Sequence, residues 1–181
     1  GEPGIIFIDE INRYNPTPEV GAIEATNPCG EQPLLAYEAC NLGAINTSKF
    51  VENSFSDKTL FNWKRFEKVI ENAVHFLENI IDINRYPTKE IENMCRGNRK
   101  IGLGLMGFAD TLFLLGIPYN SDRGIEFGDK LMKFLNERSH SASEKLSEKR
   151  GCFPNWKNSI WDKKHNRKMR NASITTIAPT G

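Results

Sequence analysis

No apolar run in the 181-residue sequence approaches the roughly 20 residues that would cross a bilayer. No basic start leads into an apolar stretch, so a secretory signal is not expected and the cytoplasm is the expected compartment. An excess of one charge is also missing. Lys and Arg total 24 against 23 Asp and Glu, a formal net charge of +1. That balance gives no global pull toward nucleic acid or an anionic membrane, and neither is expected as a partner. Cysteine is sparse: Cys29, Cys40, Cys95 and Cys152, with no C-x-x-C pair. The spacing argues against a zinc site, and a chain of this length with an ordinary core has no need of a disulfide scaffold. There is no metal-ligand cluster, internal repeat or low-complexity tract.

What is present is an ordinary globular composition, 39% hydrophobic and 26% charged. It suffices for one domain or for part of a larger one. The chain starts at Gly1 and stops at Gly181 beside an apolar run, so residues 1–181 are expected to be a piece of a larger domain, incomplete at both ends.

Gly4-Ile5-Ile6-Phe7-Ile8 reads as a buried strand. From Asn12 to Pro33, prolines and glycines predict a long irregular loop of the functional kind. Leu42–Ile45 suggests a second strand. Over 60–83, Phe66, Val69, Ile70, Ala73, Val74, Leu77, Ile80 and Ile81 share one face at helical spacing, and His75 is expected to pack among apolar neighbours. Residues 101–115 read as a buried helix. Ser121 or Asp122 can cap another helix running to about Arg150, with Gly151 ending it. Ile174–Ile177 looks like a last strand, followed by a Pro179-Thr180-Gly181 turn. Strands separated by helices predict an α/β architecture.

Two features suggest ligands they are not expected to bind. Gly102-Leu103-Gly104-Leu105-Met106-Gly107 fits a dinucleotide fingerprint, but no strand-like run precedes it, so its glycines are assigned to close helix packing. The basic stretch 157–170, with Trp156 and Trp161 nearby, is assigned to a solvated surface. Cys95 and Cys152 have no partner at a telling spacing.

Chemistry concentrates in Asn27-Pro28-Cys29-Gly30-Glu31-Gln32-Pro33. A thiol, a carboxylate and two amides sit in a loop stiffened by prolines. Gly30 removes bulk beside the thiol, and Glu31 can exchange a proton with a group that the thiol also reaches. A polar surface loop with an incidental cysteine would look the same by composition.

The wording NPCGEQPLL at 27–35, followed by YEACNLGAIN at 37–46, resembles the active-site segment of ribonucleotide reductases, the adenosylcobalamin-dependent class in particular. GIIFIDEINRYNPTP at 4–18 looks like the strand and loop leading into it. Arg99–Leu112 resembles a helical segment of the family, and Ala178–Gly181 its phosphate loop. Ala36 departs from the proline common in the cobalamin class, outside the reacting set.

The resemblance implies part of a ten-stranded α/β barrel, with Cys29 on a central finger loop. It implies radical-based reduction of ribonucleotides, at the diphosphate level, to 2′-deoxyribonucleotides. Cys29 would become the thiyl radical that removes the substrate's 3′ hydrogen. Glu31 would act as base toward the 3′ hydroxyl, and Asn27 would hold the ribose hydroxyls. Cys40 would be one of two reducing thiols, its partner lying before Gly1. Asn27, Pro28, Cys29, Gly30 and Glu31 would line the substrate, with Pro179, Thr180 and Gly181 on its phosphates. The implied cofactor is adenosylcobalamin, and the implied partners are a thioredoxin-type reductant, dNTP or ATP effectors and a second copy of the full-length chain. An iron- or manganese-dependent two-subunit reductase, or an inactive split fragment, would share these residues.

Overall fold

A computed structural model of the chain describes residues 4–180. Gly4–Phe7 forms no regular structure, contrary to the expected strand. Ile5 and Phe7 are exposed, and among the described residues no strand pairs with the run; apolar residues alone do not make a strand without a ladder. The first element is instead helix α1 (Ile8–Arg13), whose first turn holds Asp9 and Glu10 where acidic side chains oppose the helix dipole.

The expected irregular loop contains a hairpin, β1 (Ile23–Thr26) and β2 (Pro33–Leu35), antiparallel with a bulge between Ile23 and Ala25. Strand β3 (Asn41–Asn46) confirms the expected strand. A short 3-10 turn leads into the small ladder of β4 (Val51–Glu52) and β5 (Leu60–Phe61). The long helix α2 (Trp63–Ile83) therefore begins three residues later than its apolar pattern. Asn62 caps it, its side-chain oxygen accepting from the Arg65 N–H at 2.9 Å. The predicted face is buried, with Phe66, Ile70, Val74, Leu77 and Ile81 inside. His75 is not packed: it is exposed, with Nε2 3.0 Å from Arg150 Nη2.

Helix α3 (Lys89–Asn98) ends at Arg99, which adopts a left-handed φ of 50°. Next comes the main correction. Residues 101–106 form strand β6 (Ile101–Met106), and only Phe108–Leu114 is helical, as α4. A short buried apolar run does not reveal its own period, and two interior glycines weaken a helix. β6 pairs in parallel with β3, Asn41 opposite Ile101 through Asn46 opposite Met106. Helix α5 (Asp122–Arg150) has the expected Ser121 cap and Gly151 stop, and α6 (Ile160–Lys163) is a single turn.

The final strand forms only as a parallel bridge between Leu103 and Thr175. The Leu103 N–H donates to Ile174 O at 2.7 Å and Thr176 N–H donates to Leu103 O at 3.1 Å. β6 thus runs between β3 and the 173–176 segment. The glycines serve strand packing, not helix packing: a Cβ on Gly104 would sit 2.8 Å from the Thr176 carbonyl oxygen, and one on Gly102 would overlap Leu42 and lie 2.6 Å from Gln32 Nε2.

Helix α2 covers this sheet, and α5 packs against α2. Phe50, Phe61, Phe66, Trp63, Phe127 and Phe134 interlock at one end of their interface, with ring centroids mostly 5–6 Å apart. At the other end Glu78, fully buried on α2, receives Arg99 Nε at 2.7 Å, Arg170 Nε at 2.6 Å and Asn171 Nδ2 at 2.6 Å. The basic stretch is therefore only partly solvated: Arg170 is drawn into this cluster, Arg167 pairs with Glu144, and Met169 is buried. Among the described residues, no helix is long and apolar enough to cross a membrane.

Candidate active site

The hairpin is anchored before it reaches its tip. The Asn12 side chain mimics a strand partner: Oδ1 accepts from the Ile23 N–H at 2.8 Å and Nδ2 donates to Ile23 O at 2.9 Å, beside the bulge. Past Thr26 and Pro33, Asn27 and Gln32 extend the ladder. The Asn27 N–H donates to Gln32 O and Asn27 Oδ1 accepts the Gln32 N–H, both at 3.1 Å. The Gly30 N–H closes the turn on Asn27 O at 3.0 Å, and Gly30 adopts φ 85°, a conformation open to glycine at little cost. Cys29 is thereby held at the exposed tip of a closed turn, beside a residue with no side chain. Asn27 uses its side-chain oxygen to build that turn.

Glu31 stands on the returning arm. Its carbonyl accepts from the Thr176 hydroxyl at 2.9 Å, tying the hairpin to the segment beside β6. Its carboxylate Oε2 is buried with no hydrogen-bond partner among the described residues. Glu31 lines a cavity of about 170 Å³ with Tyr14, Gln32, Lys100, Ser173 and Thr175. A buried carboxylate oxygen left unpaired costs free energy, and a hydroxyl entering the cavity would remove that cost.

Cys40 sits just before β3, half-buried, its thiol directed to the Asn41 carbonyl at 3.5 Å. It lines a second cavity, about 120 Å³, with Asn41, Tyr86, Cys95 and Lys100. Burial pushes the Cys40 thiol up to about 12. Lys100 opposes that rise, while Glu38, Cys95 and Glu31 add to it. Burial likewise raises Cys95, whose thiol lies 3.7 Å from the Ala39 carbonyl.

Cys29, Asn27, Pro28, Gly30 and Glu31 thus share one turn, and Cys40 is close enough to feel the Glu31 charge. The Pro179-Thr180 segment lies elsewhere along the sheet. Thr180 Oγ1 is 3.4 Å from Leu105 O, near the C-terminal end of β6, whereas Cys40 precedes the N-terminal end of β3. Gly181 lies outside the described residues. Sequence reasoning assigned no role to Gln32, Glu38, Lys100 or Thr176. Glu38 and Lys100 stand 62 residues apart, and no local pattern links them.

Residues 1–176 match the family described as ribonucleotide reductase, barrel domain. This chain belongs to that family. The reductase barrel chain is 53% identical to a vitamin B12-dependent ribonucleoside-diphosphate reductase of Thermoplasma acidophilum, over 99% of this chain and 23% of that protein. It is 47% identical to the protein of the same name from Mycobacterium tuberculosis, over 100% of this chain and 25% of that protein. The chain spans about a quarter of the length of these relatives. In fold it resembles the class Id ribonucleotide reductase alpha subunit of Actinobacillus ureae, with a TM-score of 0.78 at 24% identity, covering 99% of this chain and 34% of that one.

Proposed function

We propose that the reductase barrel chain is the part of a ten-stranded α/β barrel that presents Cys29, on its finger loop, to a ribonucleotide. The chain would be one piece of that domain, with further strands supplied from outside residues 1–181. The whole protein would reduce ribonucleoside diphosphates to 2′-deoxyribonucleotides. The observation that carries this reading is Glu31, which has a buried, unpaired Oε2 and lines a cavity, two residues after an exposed thiol.

Roles follow from the chemistry of the groups. Cys29, as a thiyl radical, takes the 3′ hydrogen and later returns it; an S–H bond is close enough in strength to the C–H bond for both directions. Glu31 accepts the proton of the 3′ hydroxyl at its unpaired oxygen. Asn27 donates through Nδ2 to the ribose hydroxyls, while its oxygen keeps the turn closed. Pro28 and Gly30 shape the contact surface, and the Pro179-Thr180-Gly181 turn receives the phosphates. Cys40 gives reducing equivalents together with a thiol outside this chain, and a thioredoxin-type protein restores them. Effector nucleotides and a second copy of the full-length protein would act beyond residues 1–181.

Adenosylcobalamin, when bound, would supply the radical that activates Cys29. The tip position of that thiol fits such a role, since a cofactor can approach it from outside. The cavities lined by Cys40 and by Glu31, about 120 and 170 Å³, are below the ~300–1,000 Å³ that encloses even a drug-sized ligand. This chain therefore supplies the target thiol, and we assign none of its residues to the corrin. The cobalamin class is favoured over the two-subunit iron or manganese alternative by the relatives at 53% and 47% identity, against 34% for a Chlamydia pneumoniae reductase subunit alpha.

The test is a chimera in which residues 1–181 replace the matching segment of the Thermoplasma relative. Deoxynucleotide formation that requires adenosylcobalamin is expected. A soluble, folded chimera that binds substrate but forms no product with any radical source would refute the reading.

A further inference from the structure

Lys100 occupies an unusual place for a lysine. Its side chain is 2% exposed, and it lines both the Cys40 cavity and the Glu31 cavity. Its ammonium lies 2.6 Å from Glu38 Oε2 and 3.5 Å from the Pro33 carbonyl at the foot of the hairpin. Glu38 is equally buried and fully engaged. Oε2 also accepts the Leu35 N–H at 3.0 Å, and Oε1 accepts Asn98 Nδ2 at 2.6 Å. A buried ion pair contributes little net stability compared with apolar packing, so stability alone does not account for a charge at this wall.

We propose that Lys100 is a positioning residue for the Cys40 thiol, its ammonium held by Glu38 at the partition between the two cavities so that Cys40 can release a proton there. This rests on the reading that Cys40 is a reducing thiol. The thiolate, not the thiol, is the nucleophilic form, and burial disfavours it. The groups acting on Cys40 are Lys100, which favours the thiolate, and Glu38, Cys95 and Glu31, which oppose it; the Tyr86 phenol shares the cavity wall and is itself raised by burial. The proton leaves Cys40 toward solvent. Through the Pro33 carbonyl the same ammonium steadies β2, and with it the arm bearing Glu31.

The ion pair makes the test selective, because its two members act on Cys40 with opposite signs. The chimera is alkylated with iodoacetamide between pH 7 and 9, and the rate at each cysteine of residues 1–181 is read by peptide mass spectrometry, with exposed Cys29 as internal reference. Raising a thiol's proton affinity tenfold cuts the thiolate tenfold, and the greater nucleophilicity of the remaining thiolate restores about half of that on a logarithmic scale. Lys100→Met should slow Cys40 at least about threefold, Glu38→Gln should speed it by a similar factor, and Lys100→Arg should stay within about twofold of wild type. A purely structural pair would loosen in either variant and speed Cys40 in both. Equal signs for Lys100→Met and Glu38→Gln, or an unchanged rate in Lys100→Met, would overturn the proposal. Because no turnover is measured, this result is independent of whether the chimera reduces ribonucleotides.

Discussion

Glu78→Gln gives the sharpest prediction for how this chain holds its shape. The substitution keeps the side chain's size and removes its charge. Glu78 is fully buried, and its partners Arg99 and Arg170 have side chains only 5% and 12% exposed. Arg99 retains Asp82 at 2.8 Å, so the larger loss falls on Arg170, which then faces an amide. If the Gln oxygen faces the two guanidiniums, its NH2 meets the Asn171 NH2, donor against donor; in the other orientation the NH2 meets both guanidiniums. Removing one member of a buried pair costs about 3–5 kcal/mol. For a chain of this size each kcal/mol lowers the melting temperature by about 2–4 °C, giving a loss of roughly 6–20 °C. The control is Glu71→Gln, which breaks an exposed pair with Lys145, side chains 31% and 59% exposed, where about 0–1 kcal/mol is at stake. The assay is thermal unfolding by circular dichroism with both variants side by side. A Glu78→Gln shift no larger than that of Glu71→Gln would refute the idea that this cluster fixes segment 170–176 against β6.

Three further outcomes are expected. Cys29→Ser in the chimera should abolish deoxynucleotide formation, because a serine O–H bond is too strong to form by taking the 3′ hydrogen; turnover within about tenfold of the parent, a barrier change of only about 1.4 kcal/mol, would refute the assignment. Cys40→Ser should leave 3′ hydrogen abstraction intact but divert the substrate to breakdown, so free base should accumulate in place of product; sustained turnover with a thioredoxin-type reductant would show that Cys40 is not the reducing thiol. His140, whose pKa is lowered chiefly by burial, is neutral in the fold where the unfolded chain would bind a proton. Its contribution is present above the unfolded value near 6.5 and is lost as pH falls below that value toward the lowered folded one. His140→Gln should flatten the decline in melting temperature over that acidic range, and an unchanged slope would count against a desolvated imidazole.

The sequence by itself determined the elements whose signal is local. The apolar stripe from Phe66 to Ile81 marks α2, and Ser121 with Gly151 bounds α5, because caps and helical period are written into neighbouring residues. It also marked the proposed reacting set, since Asn27, Cys29 and Glu31 lie within five positions and their wording alone points to the reductase family. The tertiary structure decided whatever depends on a distant partner. Residues 101–106 became a strand because β3 and segment 173–176 flank them, and glycines at 102 and 104 let Gln32 and the Thr176 carbonyl come close. Gly4–Phe7, apolar enough to suggest a strand, found no ladder partner among the described residues and stayed irregular. The same dependence explains the long-range polar contacts around the site and in the core. Glu38 and Lys100, Glu31 and Thr176, and Glu78 and Arg170 meet across 62, 145 and 92 residues. Charges and hydroxyls so far apart leave no pattern in the sequence, and only folding brings them within hydrogen-bond distance.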